Sequence, residues 1–362
     1  MISSTIKLLP ILPTKGIYYI GQYGTSGYAS AARGYLYHYF TLGVPITWDP
    51  LYFDDSELSD DDPYNIVIKS FINKRLSYHD TVIMHSTPDL WPRFRREKQA
   101  ALNNKIIIGY CTWETNKLSP DWVNCINQSV NEVWVPSKYN QETFLNSGVE
   151  RTIRVVPHIF LYKPLPNREN IKLTDNSNGN VLANDKYTFY SIGELNSRKN
   201  IMGLLDAFCT TFSSADNVRL ILKVHYKDYT ELNKLKCKNM IMEKLMSFSN
   251  CPEVICLFDS MTSDQILSIH SIGDCYITLT KSEGFGLTIH DAFNYGKKII
   301  VTGYGGQLDF LGINHPGLVG YKIGEVDGME SKNYGSDQVW AHPDLDHAKQ
   351  LMKEMYDRNF RI

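Results

Sequence analysis

Short apolar runs alternate with longer amphipathic segments along most of the chain. In the first half the runs are rich in β-branched and aromatic residues and are predicted strands: 16–20, 81–84, 105–110, 132–135 and 153–156. Between them lie segments of helical periodicity: 28–42, 64–73, 90–102, 121–130 and 138–146. Strands that are apolar throughout and are separated by helices predict a parallel sheet covered on both faces.

Residues 161–186 break this alternation, because they lack periodicity and are rich in Pro, Asn, Asp and Gly, which predicts a linker. The alternation then resumes with predicted strands at 187–193, 219–224, 253–258, 275–280 and 298–303. The pattern predicts two βαβ-type domains, residues 1–160 and 187–340, and a terminal helix over 341–362. Since ligands of doubly wound sheets bind at the carboxyl ends of the strands, we expect the site in a cleft between the domains.

The composition narrows the class of protein. A length of 362 residues suits two domains of ~150 residues. The net charge of −2 and the pI of about 6.6 argue against a nucleic-acid partner. Seven scattered cysteines without a CxxC motif predict reduced thiols and a cytoplasmic location. No apolar run reaches the ~18 residues of a membrane span, so we expect a soluble protein and leave a peripheral membrane contact open.

Three glycines follow the first predicted strand and precede a helix. Gly21, Gly24 and Gly27 would let backbone N–H groups approach a phosphate, and the helix N-terminus would add a favourable dipole. The spacing is not GxGxxG, so it does not indicate a dinucleotide site of the usual kind. An ordinary turn is the alternative interpretation.

Two cations stand where the first helix of the second domain is predicted to begin. Arg198 and Lys199 oppose the usual preference for acids at a helix start. An anion such as a diphosphate would remove this mismatch. The alternative is a solvated basic turn.

The stretch KSEGFGLTIHDAFNYG, residues 281–296, joins a strand, a glycine turn and a helix. Gly284 and Gly286 free the backbone amides of the turn, which together with the helix N-terminus form an anion site. Glu283 precedes the helix, and Asp291 lies ~7–8 Å further along its axis. Two acids so placed can bond hydroxyls at two points of one extended ligand, whereas the alternative is a capped helix with surface acids.

These segments together resemble the retaining GT-B glycosyltransferases of family 4, called glycosyl transferases group 1. The resemblance is carried by residues 111–149, by VVPHIF (155–160), by IGELNSRKN (192–200) and most specifically by residues 259–306, with an E-x7-E-like motif and a Gly-Gly turn. It implies an α/β fold of two Rossmann-like domains with parallel sheets facing across a cleft, and a C-terminal helix that crosses back to the first domain. The implied activity is transfer of a sugar from a UDP- or GDP-linked donor to an acceptor hydroxyl, on a glycan or glycoconjugate, with retention.

The resemblance also implies roles for individual residues. Lys199, Arg198 and Glu283 would be catalytic, with the cations on the donor diphosphate and Glu283 near the donor sugar. The implied donor-binding residues are Gly24, Gly27, Phe258, Met261, Gly284, Phe285, Gly286, Leu287 and Asp291. No cofactor and no metal are implied, since the nucleotide sugar is a substrate and no DxD-type pair ends a strand.

The sequence departs from the family pattern at three places. Glu194 replaces the Arg that follows the strand glycine, and Arg198 is the candidate substitute. Asp291 replaces a Glu. Cys111 and Thr112 stand where the family often has a His, so His85 and Glu114 are the alternative contacts for sugar or acceptor, although a turn cap and a helix-start acid would explain them equally.

Two other functions are alternatives, and Glu194 and the missing His favour only the first of them. One is a non-catalytic GT-B protein that binds nucleotide sugars. The other is a different GT-B enzyme, either an epimerase or a phosphorylase, and a phosphorylase would carry a pyridoxal cofactor. Donor turnover and an absorbance spectrum separate these alternatives from a glycosyltransferase.

Overall fold

The chain divides into two units, residues 1–161 and 162–362. A computed structural model describes residues 15–54, 58, 62–175, 186–329 and 331–359. The sequence predicted the end of the first domain at residue 160. Much of the predicted linker, residues 176–185, lies outside the described residues.

The first unit contains one sheet of six parallel strands in the order β2-β1-β3-β4-β5-β6. Its strands are β1 (Ile17–Gln22), β2 (Ile46–Leu51), β3 (Thr81–His85), β4 (Ile106–Tyr110), β5 (Glu132–Val135) and β6 (Thr152–Val155). Its helices are α1 (Gly27–Thr41), α2 (Pro63–Lys69), α3 (Trp91–Glu97), α4 (Gln99–Leu102), α5 (Pro120–Ser129) and α6 (Lys138–Asn146).

Strand β2 was not predicted from the sequence. Asp49 and Pro50 interrupt its apolar pattern, as expected for an edge strand, where Pro is tolerated. Ile46 and Trp48 are nevertheless fully buried, and β2 pairs with β1 along its whole length. The predicted helix 90–102 is also divided, into α3 and α4, with Lys98 at the break.

The second unit contains another sheet of six parallel strands, in the order β12-β11-β10-β7-β8-β9. Its strands are β7 (Tyr187–Glu194), β8 (Val218–His225), β9 (Glu253–Leu257), β10 (Cys275–Thr278), β11 (Lys298–Thr302) and β12 (Leu318–Val319). Its helices are α7 (Ile201–Thr211), α8 (Glu231–Met246), α9 (Ser263–Ile272), α10 (Leu287–Asn294), α11 (Leu308–Leu311) and α12 (Leu345–Asn359). Two parallel sheets with helices confirm the predicted α/β fold class.

Both faces of the second sheet are covered. Along β7, Phe189 packs into a cluster with residues of α7, α8 and α12, whereas Tyr190 packs into a cluster with residues of α9 and α10. Because neighbouring strand residues point to opposite faces, this alternation requires the uniformly apolar strands seen in the sequence.

An antiparallel hairpin, β13 (Tyr321–Glu325) and β14 (Val339–Pro343), precedes the last helix and was not predicted. Residues 341–343, predicted as helical, belong to β14, because α12 begins only at Leu345. The sequence predicted that α12 crosses back to the first domain. Its buried residues Ala348 and Met352 pack with residues of α7 in the second unit, and the crossing stays a prediction.

All seven cysteines lie among the described residues and are free thiols. Within the described ranges, no helix has both the length and the apolar composition needed to cross a bilayer.

Candidate active site

The strand order of the second sheet reverses between β7 and β10, which are neighbours although three strands apart in sequence order. Loops that leave adjacent strands in opposite directions open a crevice at their carboxyl ends, where doubly wound folds bind ligands. The loop after β7 contains Arg198 and Lys199, and the loop after β10 contains Glu283. The topology therefore brings together the two segments that the sequence analysis had selected separately.

A three-residue ion cluster forms where these loops meet. The Nζ of Lys199 lies 2.6 Å from Oε1 of Glu283, and Nη1 of Arg198 lies 3.1 Å from Oε2. Thr280 donates its hydroxyl to the same Oε1 at 3.0 Å. The Glu283 residue is only 7% exposed, so each of its carboxylate oxygens is matched by a cation largely out of water.

The electrostatics of the cluster keep Glu283 ionised. Burial alone would raise the pKa of its carboxyl, but the charges of Lys199 and Arg198, with the hydrogen bonds from Lys199 and Thr280, outweigh burial and lower the pKa to about 2. Two cations and one anion leave one positive charge in excess. The cluster can therefore neutralise an additional anionic ligand.

The cations at the start of α7 are explained by this contact. An anion near Arg198 and Lys199 was one of two interpretations of the sequence, and in the structure the carboxylate of Glu283 occupies that position. The backbone places Lys199 there: Asn196 accepts a hydrogen bond from the Lys199 N–H at 2.9 Å, and Asn200 adopts a left-handed conformation with φ of 51° at the helix start. Asn is one of the few residues that occupy this region readily.

A glycine turn after β11 closes on the backbone of Glu283. Gly306 donates its N–H to the Glu283 carbonyl at 2.8 Å. Gly305 has φ of +111°, and a Cβ there would lie 2.7 Å from the backbone carbonyl oxygen of Glu283 and 3.0 Å from its backbone nitrogen. Only glycine fits this position. The Gly-Gly turn of the sequence motif therefore fixes the position of the Glu283 backbone.

We therefore expect Gly305→Ala to lower both stability and donor turnover, because the new methyl group must push Glu283 away from its cations. Gly312→Ala is the matched control: Gly312 also has a positive φ, +80°, but a Cβ there meets nothing within 4 Å. Backbone strain alone should cost about 1 kcal/mol at either site. Thermal unfolding and turnover of both variants measure the difference, and equal losses in the two would contradict the assigned role of Gly305.

The helix of the motif begins directly after the glycine turn. Gly286 has φ of +89° at the N-cap of α10, and Gly284, Phe285 and Gly286 are all buried. The ring of Phe285 packs against Phe310 and His290, so only its backbone is available to a ligand. Leu287 is the first helical residue.

Asp291 lies in the second turn of α10 and is half-buried. Its charge adds to the burial that raises the pKa of Tyr276 and of Tyr190. Its carboxylate is therefore near the strands β7 and β10, on the helix that starts at the glycine turn. The proposed ribose contact of Asp291 stays a prediction.

The structure separates the two residues predicted to contact the nucleotide base. Phe258 is 4% exposed and belongs to the core cluster under α7, α8 and α12. Met261 is partly buried against the cluster on the opposite face of the sheet. The Phe258 ring is therefore a core side chain, and the base contact predicted for Phe258 and Met261 stays a prediction.

The first unit places its candidate residues at the carboxyl ends of β1, β3 and β4. Gly24 has φ of +100°, and Gly27 is the first residue of α1, which Ser26 caps by accepting a hydrogen bond from Ala29 N–H at 3.1 Å. The phosphate contact predicted for these glycines stays a prediction. The half-buried Glu114 accepts a hydrogen bond through its backbone carbonyl from the Tyr139 hydroxyl at 3.1 Å.

His85 is 1% exposed and sits in a group of aromatic side chains. Its Nδ1 lies 2.6 Å from the Tyr19 hydroxyl, and the rings of Tyr28, Tyr35 and Tyr110 lie within 6.0 Å of its ring. Burial, with a smaller effect of the nearby His158, lowers the pKa of His85 well below its usual value. Its Nε2 is buried without a hydrogen-bond partner, so the turn cap considered for His85 does not describe it.

Two further residues of the second-unit site were not predicted from the sequence. Thr280 and Asn196 hold Glu283 and Lys199 through side-chain hydrogen bonds. Each is a polar residue in a loop that follows a buried strand, which was the only signal available. Across the described part of the chain, no three His, Cys, Asp or Glu side chains form a group suited to a metal ion.

Solved structures of similar fold identify the architecture as GT-B. The apo structure of OtsA superposes with a TM-score of 0.56 at 10% identity, covering 95% of each chain. Sucrose-phosphate synthase from Thermosynechococcus elongatus gives 0.54 at 14% identity, covering 95% of this chain and 94% of the other. An E. coli structure described as trehalose-6-phosphate bound with UDP-2-fluoro glucose gives 0.54 at 9% identity and 94% of each chain. At these identities the likeness shows the fold alone.

Residues 174–323 match the family described as glycosyl transferases group 1. The matched segment contains the whole ion cluster and the Gly-Gly turn. The match therefore concerns the second unit. No curated protein gives a significant match. The chain covers only 48% of the length of another similar structure, TarM of S. aureus, at 14–15% identity and a TM-score of 0.49.

Proposed function

We propose that this chain is a retaining, metal-independent glycosyltransferase of family 4 that moves a sugar from a UDP- or GDP-linked donor to the hydroxyl of a glycan or glycoconjugate. The ion cluster of Lys199, Arg198 and Glu283 at the β7–β10 crevice carries the proposal. The match of residues 174–323 to glycosyl transferases group 1 supports it.

The excess positive charge of the cluster suits a leaving diphosphate. In the proposed reaction the bond between the anomeric carbon and the diphosphate oxygen breaks, and negative charge develops on that oxygen. Lys199 and Arg198 are held in place before the reaction by Glu283 and by the loop contacts. Charged groups fixed in advance near developing charge supply a large part of a catalytic effect.

The glycine turn adds a second electrostatic contribution. Gly286 leads directly into α10, whose first backbone N–H groups lack partners within the helix. These amides and the positive end of the helix dipole favour an anion. Because this anion site and the two cations lie on loops that meet, the chain itself can neutralise the diphosphate, which supports a reaction without a metal ion or cofactor.

The protonation state of Glu283 limits its role. A carboxyl with a pKa of about 2 is ionised at neutral pH and is a poor proton donor or base there. We therefore assign Glu283 to accepting hydrogen bonds from donor-sugar hydroxyls and to orienting Lys199 and Arg198. The attack on the anomeric carbon from the leaving-group face requires no enzyme nucleophile, and Glu283 is not assigned as one.

The acceptor is proposed to lie on the first unit, near His85 and Glu114. His85 is the last residue of β3 and Glu114 follows β4, so both lie at the carboxyl edge of the first sheet. The buried Nε2 of His85 has no hydrogen-bond partner, and this costs free energy that contact with an acceptor hydroxyl would offset.

The cytoplasmic location stays a prediction from the free cysteines.

A panel of nucleotides tests the donor-binding part of this proposal. We expect UDP or GDP, but not the corresponding nucleoside, to raise the temperature of thermal unfolding, because a ligand at 100 times its Kd stabilises the folded state by about 2.7 kcal/mol. The nucleoside is the matched control, since it lacks the groups that would contact Lys199 and Arg198.

Incubation with UDP- and GDP-sugars then measures release of the nucleoside diphosphate with and without sugar acceptors. Stabilisation without turnover would favour the non-catalytic binding protein. Absence of any effect of UDP, GDP and ADP would contradict the assignment of the ion cluster to a diphosphate.

A further inference from the structure

Lys281 lies where three segments of the second unit meet. It follows β10, it faces the loop after β7, and it contacts the hairpin formed by β13 and β14. The residue is only 8% exposed. The proposed reaction does not use its ammonium group, although Glu283 is two residues away.

The ammonium group of Lys281 is enclosed by contacts from two of these segments. Its Nζ lies 3.1 Å from the hydroxyl oxygen of Ser197 and 2.5 Å from Oδ1 of Asp327. Ser197 also donates its hydroxyl to the same Asp327 oxygen at 2.8 Å. The Nζ stands 4.9 Å from the ring centre of Trp340 in β14. A closed triangle of Lys281, Asp327 and Ser197 therefore joins the hairpin to the loop after β7.

The backbone of Lys281 repeats this connection. Its N–H donates to the carbonyl of Arg198 at 2.7 Å, and its carbonyl accepts the N–H of Ala341 in β14 at 2.9 Å. Ser197 and Arg198 directly precede Lys199. The side chain and the backbone of one residue thus fix the loop that carries both proposed diphosphate ligands.

The segment that joins β13 to β14 also packs closely against Ser197. Gly328 has φ of +62°, and a Cβ there would lie 2.9 Å from Cβ of Ser197. The hairpin therefore approaches this loop without room for a larger residue. This contact is independent of the charges of Lys281 and Asp327.

We propose that Lys281 and Asp327 are positioning residues for the donor diphosphate, acting through Ser197 on the loop of Arg198 and Lys199. The hairpin then stabilises the conformation of the loop that contains Arg198 and Lys199. The inference rests on the proposed function, because it assumes that Arg198 and Lys199 receive a diphosphate. A purely structural role would make the same contacts stabilise the fold without changing nucleotide affinity.

Binding of UDP, GDP and ADP to the full chain, measured by titration calorimetry, distinguishes the two roles. We expect Lys281→Met to raise the Kd of the nucleotide that the unaltered chain binds by about tenfold, since a hydrogen bond to a charged group is lost from the support of the loop. Asp327→Asn should act in the same direction and more weakly. Asp327→Asn also tests the proposal if Lys281→Met does not fold, because the Asp327 side chain is 59% exposed and tolerates replacement.

Lys244→Met is the matched control. Lys244 likewise pairs with an aspartate, Asp206 at 2.5 Å, and lies over an aromatic ring, Phe248 at 5.5 Å, but it sits near the far end of α8. It should lower the unfolding temperature and leave the Kd unchanged. A Kd for both Lys281→Met and Asp327→Asn equal to that of Lys244→Met would overturn the positioning role.

A double-mutant cycle tests the route through Ser197. If Lys281 acts through Ser197, Ser197→Ala should weaken binding by itself, and adding Lys281→Met should weaken it by less than the product of the two single effects. Independent effects would overturn this route. If the unaltered chain binds none of UDP, GDP and ADP, the proposed function fails and the inference fails with it, whereas normal binding by the unaltered chain and by both variants overturns the inference alone.

Discussion

Lys199→Met is expected to reduce donor turnover, measured as kcat/KM, by about 10²–10³-fold, the range seen when one preorganised charge-stabilising donor is removed. The Lys199 side chain is 19% exposed, and its Nζ lies 2.6 Å from Oε1 of Glu283. Without it, Glu283 and Arg198 neutralise each other and the cluster loses its excess positive charge. The cluster then has no excess positive charge to stabilise the negative charge that develops on the diphosphate.

The measurement is steady-state release of nucleoside diphosphate from the donor identified by the nucleotide panel. Lys244→Met serves again as control, since it removes an aspartate-paired lysine of the same unit away from the crevice. Because Met keeps the length of the lysine stem, the fold should persist, and far-UV circular dichroism checks this. Turnover of the Lys199 variant within twofold of the control would remove Lys199 from the catalytic assignment.

Glu283→Gln is expected to lower the free energy of unfolding of the second unit by about 3 kcal/mol at pH 7, and to have almost no effect near pH 2. The pKa of Glu283 falls from 4.5 to about 2 on folding, and each pKa unit corresponds to about 1.4 kcal/mol. A lowered pKa means that the folded state favours the ionised form. The stabilisation is therefore complete above pH 4.5 and is lost as the pH falls from 4.5 towards 2.

Denaturant unfolding at several pH values measures this difference between the unaltered chain and the variant. Gln is neutral at every pH and imitates the protonated acid, so the two chains should converge at low pH. Glu231→Gln is the control, because the Glu231 side chain is 90% exposed and pairs with Lys234 at the surface, where an ion pair contributes little. A loss for Glu283→Gln that stays constant between pH 7 and pH 2 would show that its charge is not the cause.

Local sequence patterns predicted most of the sheet architecture. Central strands such as β3 and β8 are buried on both faces, so their apolar character is visible without knowing their partners. Strand β2, the two-residue strand β12 and the hairpin were not predicted. Asp49 and Pro50 are tolerated because β2 lies at the edge of its sheet, and the hairpin is held by pairing with itself and with Lys281 rather than by an apolar run.

The orientation of Phe258 could not be predicted from the local sequence. The family resemblance implied a base contact for this residue, which ends the predicted strand 253–258, but the direction of a side chain at a strand end depends on the pleat and on the helices that cover each face. The structure turns its ring into the core under α7, α8 and α12. If the strand were shifted by one residue, the Phe258 ring would point to the opposite face of the sheet. The sequence does not define the position of the strand to within one residue.

The sequence by itself determined that two parallel βα sheets would form, and that the KSEGFG turn and the SRKN segment each end a strand and begin a helix. These features depend on residues close together in the chain, whose periodicity and turn chemistry are local. Only the tertiary structure decided that Arg198 and Lys199 pair with the carboxylate of Glu283, 84 positions away from Lys199. That pairing depends on the reversal of strand order between β7 and β10, which places two distant loops side by side, and the hairpin that steadies them through Lys281 has no signature in the local pattern.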